Sequence, residues 1–197
     1  MKKVLSLIVV ALLFAGVSQA QKFTTESFAA NLGLGFGWYD YGYGVSSFPA
    51  ISLSAEKGMW ELEDIGVVSI GGSLAYKTAK YDYSYTYNNV TDEWSWTDFA
   101  VAARSALHPD LIDNDKVDLY AGAALGLRFQ TFKYTDAVLV GVWPNYNYEI
   151  EERKNNDTDV LFAVFAGGRY YFTDNFGVFA ELGYGLGYLT IGISYGM

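Results

Sequence analysis

The stretch that decides the fold is residues 188–197, YLTIGISYGM. Leu189, Ile191, Ile193, Tyr195 and Met197 share one parity, and Thr190, Gly192, Ser194 and Gly196 share the other. Successive strand residues point to opposite faces, so the stretch predicts a strand with one apolar face and one face of small, weakly polar residues. The pattern recurs upstream. In residues 117–130, VDLYAGAALGLRFQ, Val117, Leu119, Ala121, Ala123, Leu125, Leu127 and Phe129 alternate with Asp118, Tyr120, Gly122, Ala124, Gly126, Arg128 and Gln130. Residues 31–38, NLGLGFGW, and 68–77, VSIGGSLAYK, repeat it.

Eight such segments are predicted, at about 28–38, 48–57, 66–78, 95–107, 116–132, 159–172, 177–185 and 188–197. Each is long enough for a tilted strand to cross a hydrocarbon layer, which takes about 9–11 residues. The connections after the first, third and fifth strands hold long Tyr- and Asp-rich stretches, 39–47, 79–94 and 133–158. Those after the second, fourth and sixth are 58–65, 108–115 and 173–176, and the last, near Gly185–Gly187, is tight. An up-and-down barrel with short turns at one end and longer loops at the other has this rhythm.

Alternation alone also fits a soluble barrel with its apolar face inward. The small face decides between them. Glycine weakens a strand unless something must approach closely. A face bearing Gly33, Gly35, Gly37, Gly71, Gly122, Gly126, Gly167, Gly183, Gly185, Gly192 and Gly196 suits the crowded inside of a narrow barrel, not a water-facing surface. The fold class is therefore all-β, an eight-stranded antiparallel up-and-down transmembrane β-barrel. The apolar parity faces lipid. The large side chains on the small parity then point inward: Glu56, Lys77, Asp98, Arg104, Asp118, Arg128, Arg169 and Glu181, with Tyr120 and Gln130. Four acids face four bases. Buried charge is costly unless paired, so the balance predicts a hydrogen-bonded plug.

Residues 1–20, MKKVLSLIVVALLFAGVSQA, have two lysines, an apolar run and a small-x-small end, which reads as a cleaved signal peptide. Residues 21–197 form the single barrel domain. Without the two leader lysines, 11 basic residues face 22 acidic ones, a net charge of −11. So acidic a chain is a poor partner for nucleic acid. There is no cysteine, hence no disulfide framework and no thiolate metal site.

Little points to catalysis. The one histidine, His108, sits in LHPDLIDND and reads as a turn or interfacial residue at the short-turn end. A His metal site lacks partners, and the carboxylates of DLIDNDKVD lack the spacing of a calcium loop. No cofactor and no metal are expected. The loop acids Asp82, Asp92, Glu93, Glu149, Glu151 and Glu152 are read as solvated. The aromatic residues say more. YDYSYTY puts Tyr81, Tyr83, Tyr85 and Tyr87 on the inward parity of the third strand, and Trp94 and Trp96 take the inward parity of the fourth. If these strands continue past the membrane as a hairpin, six rings share one face. They either pair across the hairpin or form a stacking platform for a sugar or a partner protein. Val138, Leu139, Val140, Val142 and Trp143 are unusual in an outer loop; they cover the barrel mouth or fold back as an extra hairpin.

FPAISLSAEKG, VSIGGSLAYKT, FAVAARSALHP with VDLYAGAALGL, and NFGVFAELGYGLGYLTIGISYGM together resemble the small outer-membrane β-barrel proteins of Gram-negative bacteria. The likeness is to the OmpA/OmpX-like, "porin family" type of Bacteroidetes. It departs at Met197, where such chains usually carry an aromatic residue. No peptidoglycan-binding domain is expected. The resemblance implies a bacterial outer-membrane location, insertion by the barrel assembly machinery, and contact with outer-membrane lipid and lipopolysaccharide. The expected function is non-enzymatic: a side-chain-filled, monomeric barrel whose aromatic and acidic loops serve membrane integrity or surface interaction with an extracellular protein or glycan. A narrow porin-like channel is the alternative reading, and a lipid-modifying enzyme a weaker one.

Overall fold

A computed structural model describes residues 22–37, 45–85, 90–142 and 145–197. The expected signal peptide, Trp38, Tyr87 and Trp143 lie outside the described residues. Nine strands occur among those described: β1 (Phe28–Phe36), β2 (Ser46–Ser47), β3 (Ala50–Leu62), β4 (Gly66–Tyr85), β5 (Val90–Pro109), β6 (Val117–Val142), β7 (Asn145–Tyr171), β8 (Phe176–Tyr184) and β9 (Leu189–Gly196). Every pairing is antiparallel. The order β3-β1-β9-β8-β7-β6-β5 is closed by pairing of β4 with both β3 and β5, so eight strands form a ring. The two-residue β2 pairs with Lys80 and Ala79 of β4, outside that ring. The ring joins the ends of the barrel sequence, since Phe28 and Met197 exchange backbone hydrogen bonds of 2.8 and 2.9 Å. Closure removes the open edges that a flat sheet would leave to pair with other chains.

The parity read from the sequence is the parity of the barrel. Ile193, Leu125 and Val160 stand outward at 57, 61 and 75% exposure, while Glu56, Asp98 and Arg169 lie inside at 1–2%. A water-soluble domain has the opposite arrangement. Alanines dominate the middle of the interior, where Ala75, Ala100, Ala102, Ala124 and Ala163 surround the larger Tyr120, Leu161 and Phe165.

Two strand pairs run well beyond the expected boundaries. The stretches 79–94 and 133–158 are not loops for most of their length. β4 and β5 pair as far as Tyr85 with Val90, and β6 and β7 as far as Val142 with Asn145. The apolar stretch Val138–Val142 is thus part of β6, paired along its length with β7, and among the described residues it forms no separate hairpin. Past Tyr76, Phe99 and Phe129 the outward positions turn polar: Thr78, Thr97 and Thr131 lie in register, then Lys80, Ser95 and Lys133. With water on both faces, a strand no longer needs apolar alternation, and a period-two reading misses it. At the opposite end β3 and β4 meet in a tight turn at 63–65, with Asp64 in the left-handed region (φ 60°).

The small face has a direct steric cause. A Cβ at Gly33 would lie 2.7 Å from the ring of Phe179 and 2.9 Å from Thr190, both inward-facing side chains. At the outward Gly72 the nearest atom to such a Cβ is the Ala102 carbonyl oxygen, at an ordinary 3.5 Å. We expect Gly33→Val to displace Phe179 and lower stability by about 1–3 kcal/mol. Urea unfolding of the detergent-folded protein measures it, with Gly72→Ala as the control. Equal losses in the two variants would mean that lumen crowding is not what excludes side chains at position 33.

Candidate functional site

The interior charges assemble into two groups. The larger lies toward the short-turn end and is centred on Arg169 of β7. Its guanidinium bonds the Glu56 carboxylate of β3 and the Asp118 carboxylate of β6, and its Nε donates to Asn31 Oδ1 at 3.2 Å. Ser194 of β9 donates to the same Asn31 oxygen at 2.8 Å. Arg104 of β5 reaches Glu181 of β8 at 3.0 Å and Glu56 at 3.5 Å, and Tyr120 donates its hydroxyl to Glu181 at 3.2 Å. Rings fill the remaining space: the Arg104 guanidinium lies 4.0 Å from the Phe165 ring centroid, and that of Arg169 lies 4.3 Å from Tyr120. With Ser69 of β4, which donates to Glu56 at 3.0 Å, all eight strands of the ring contribute a side chain to this one cluster.

The smaller group lies toward the long hairpins. Lys77 of β4 is in register with Asp98 of β5, and Gln130 of β6 donates to Asp98 at 2.9 Å. Arg128 pairs with Asp159 of β7. All eight charged residues expected inside therefore sit on the inner parity, divided between two levels with the alanine-rich section between them. The sequence reading missed Asn31, Ser69 and Asp159. All three carry the inward parity. Asn31 and Ser69 are uncharged and do not stand out from other small or polar inward residues, whereas Asp159, at the start of the expected 159–172 segment, meets the same rule of charge and parity as the other eight.

His108 needs correction. It is not a turn residue. It lies inside β5, 3% exposed, because that strand runs to Pro109, two residues past its expected end. Its Nδ1 is 2.7 Å from Asp118 Oδ1, and its Nε2 is 3.1 Å from Ser69 Oγ. Phe23, in the segment entering β1, stacks on the imidazole at 3.7 Å with planes 7° apart. Asp–His–Ser connectivity is also that of a nucleophilic triad. Here Ser69 has no exposed surface, its hydroxyl lies 3.0 Å from Glu56 and 3.3 Å from the Ala106 carbonyl, and Asp118 is engaged by Arg169. No substrate carbonyl can reach that hydroxyl, so the relay belongs to the plug.

Above the barrel, β4 to β7 continue as a four-stranded wall. Its inner face is an array set by register. One row is Tyr81, Trp94, Tyr134 and Arg153; the row below is Ala79, Trp96, Phe132 and Asn155; the next is Lys77, Asp98, Gln130 and Asp157. Tyr81 and Trp94 have centroids 5.9 Å apart, Trp96 and Phe132 stack at 5.2 Å, and Phe132 and Tyr134 stack at 5.6 Å. Arg153 donates to Glu151 at 3.0 Å and to the Tyr134 hydroxyl at 3.4 Å. Those two hydrogen bonds hold its guanidinium above its ordinary pKa. Of the expected platform, Tyr81, Trp94 and Trp96 are together. The side chains of Tyr83 and Tyr85, and all of Tyr87, lie outside the described residues. Neither Phe132 nor Tyr134 was among the expected rings: Phe132 closes the expected fifth strand on its inward parity, and Tyr134 falls in 133–158, expected as a loop.

No family model and no curated protein matches this chain. Among solved structures it is similar to Ail, the attachment invasion locus protein of Yersinia pestis, with 15% identity over 87% of this chain and 95% of that one, at a TM-score of 0.42. Ail in complex with the heparin analogue sucrose octasulfate gives 15% identity over 87% and 96%, at 0.38. The N-terminal β-barrel domain of Pseudomonas aeruginosa OprF gives 18% identity over 88% and 98%, also at 0.38.

Removing the central cation would leave Glu56 and Asp118 buried without their main counter-charge. Arg169→Met should cost about 3–5 kcal/mol. Arg128→Met should cost clearly less, because the partner Asp159 side chain is 45% exposed and water replaces the lost contact. Parallel denaturant titrations give the comparison. Similar losses would show that the Arg169 cluster is no more critical than the outer pair.

Proposed function

We propose that this chain is an integral outer-membrane β-barrel with a filled, non-conducting lumen, and that it works by holding the β4–β7 wall above the cell surface. The observation that carries the reading is the inverted surface. Leucines, isoleucines and aromatic residues encircle the outside, while matched ions and small residues fill the inside. Only a hydrocarbon solvent makes that distribution favourable. The outward band ends at Tyr76, Phe99, Phe129 and Tyr184 on the long-hairpin side, and at Phe176 and Tyr195 near the other. Aromatic residues at both limits suit the two interfaces of a bilayer. The short turns are assigned to the periplasm and the long hairpins to the exterior. Outer-membrane lipid and lipopolysaccharide are the proposed surroundings of the band, the barrel assembly machinery its route of insertion, and the monomer its working form.

The closed lumen separates this reading from a channel. An eight-stranded barrel has room for side chains and little else. The Arg169 and Arg104 cluster spans the lumen with Tyr120 and Phe165 packed against it, and Phe179 and Leu161 are buried inside as well. A catalytic role finds no support in the relay around His108, whose serine is sealed. The proposed role is display.

Three measurements on purified protein test this. The folded chain should need detergent and run faster than its boiled form on a gel. Planar-bilayer recordings should show no steady single-channel steps; reproducible steps would establish a conducting path. Leu125→Arg and Ile193→Arg should each destabilise the bilayer-inserted barrel by about 2–4 kcal/mol. If both are tolerated without loss, the outward parity does not face lipid.

A further inference from the structure

We infer that the inner face of the β4–β7 wall is a binding surface for an uncharged oligosaccharide, with Trp94 as its central stacking ring. This rests on the display reading above. Three features of the array lead to it. The first is where the rings stand. They occupy the inward parity beyond the level at which the outward face turns polar, so they belong neither to the lipid band nor to the filled barrel. Among the described residues β1 and β3 stop short of this level, ending at Phe36 and Ala50, so no described strand of the ring stands opposite. Trp94 remains 43% exposed although it packs against Tyr81, Trp96 and Phe132. An aromatic group that packs on its neighbours and still keeps this much of its surface open to solvent suits a flat, weakly polar partner.

The second feature is the border. On the β7 side the rings are flanked in register by Asn155 and Arg153. Below them lie Asp98 and Gln130. A pyranose presents C–H groups on its faces and hydroxyls around its rim. Rings for the faces and a surround of amide, carboxylate and guanidinium groups for the hydroxyls match both parts of that chemistry. A hydrophobic peptide segment would use the rings and bury the border groups against apolar surface, at a cost.

The third feature is charge. Within the array Lys77 and Arg153 balance Asp98 and Asp157, and Arg153 is also engaged by Glu151. The face offers no net positive potential, and the mature chain carries −11. A sulfated or phosphorylated polymer needs a basic surface, which is missing here. A neutral glycan does not.

The test uses the full mature chain folded in detergent, with heat-dependent gel mobility read on the same samples. Failure of the barrel reading then appears separately from failure to bind. Cellohexaose, maltohexaose, chitohexaose and heparin hexasaccharide are titrated by calorimetry. At least one neutral hexasaccharide should bind saturably, and heparin hexasaccharide should not. Trp94→Ala should weaken that binding roughly tenfold, while Trp94→Phe keeps most of it. Unchanged binding in Trp94→Ala, binding of the sulfated probe alone, or binding of none of the four overturns the inference.

Discussion

A guanidinium with almost no contact with water sits inside this barrel toward its short-turn end, and much of the remaining structure follows from it. Arg169 is tolerable there only because Glu56 and Asp118 arrive from two other strands and Asn31 from a third. Each carboxylate in turn needs more donors than Arg169 supplies. Arg104 and Ser69 complete Glu56, and His108 completes Asp118. The cluster is thus a set of mutual obligations between distant parts of the chain, and it fixes strand register. A slip of one residue would turn every member to the outer face and bring leucines in. Replacing such a network with apolar side chains is often neutral for stability. Its better-founded contribution in a barrel of this size is to make a single register acceptable.

The same crowding explains the sequence bias at the other inward positions. Eight strands enclose little volume, and two arginines, two tyrosines and two phenylalanines project into it from a few strands. Positions beside them must then be small. Gly33 makes room for Phe179, two strands away, and Gly167 for Tyr120, its register partner on β6, whose ring lies 2.8 Å from where a Cβ would stand. Large and small residues complement each other between nearby strands, while the charges reach across the lumen. Outside, the requirement is only that side chains be apolar, and Leu, Ile, Val, Phe and Ala occur there without evident order.

This division decides what could be read from the chain alone. The barrel and its inward charges were legible because the strands of the ring keep a strict period of two, with apolar residues outward and small ones inward, the reverse of a water-soluble barrel. Glu56, Arg104 and Arg169 needed only parity to be placed. Their grouping was not legible, because which inward residue meets which depends on shear and register around the whole ring. His108 shows the limit. Its strand continues past the last apolar outward residue, and its partners Ser69 and Asp118 belong to the two neighbouring strands. The wall was missed for a related reason. Beyond Thr78, Thr97 and Thr131 the outward positions are polar as well, so the contrast that marks the strands of the ring disappears while the hydrogen-bonded ladder continues.

A sheet that rises out of a closed barrel must solve a problem that the barrel itself avoids. Among the described residues, β7 has no neighbour on its β8 side before Val164, which leaves a long free edge. A flat free edge invites pairing with other chains. Along that edge the sequence from Glu149 to Asp159 is EIEERKNNDTD, with seven charged residues in eleven and a single aliphatic one. Charge at such density is an established guard against strand addition, because an incoming strand must desolvate it. The inner face of the wall is built on the opposite principle, with rings left open to solvent and charge pushed to the margins. A surface that is protected along its edge and permissive on its face is suited to a ligand that stacks, and poorly suited to one that pairs as a strand.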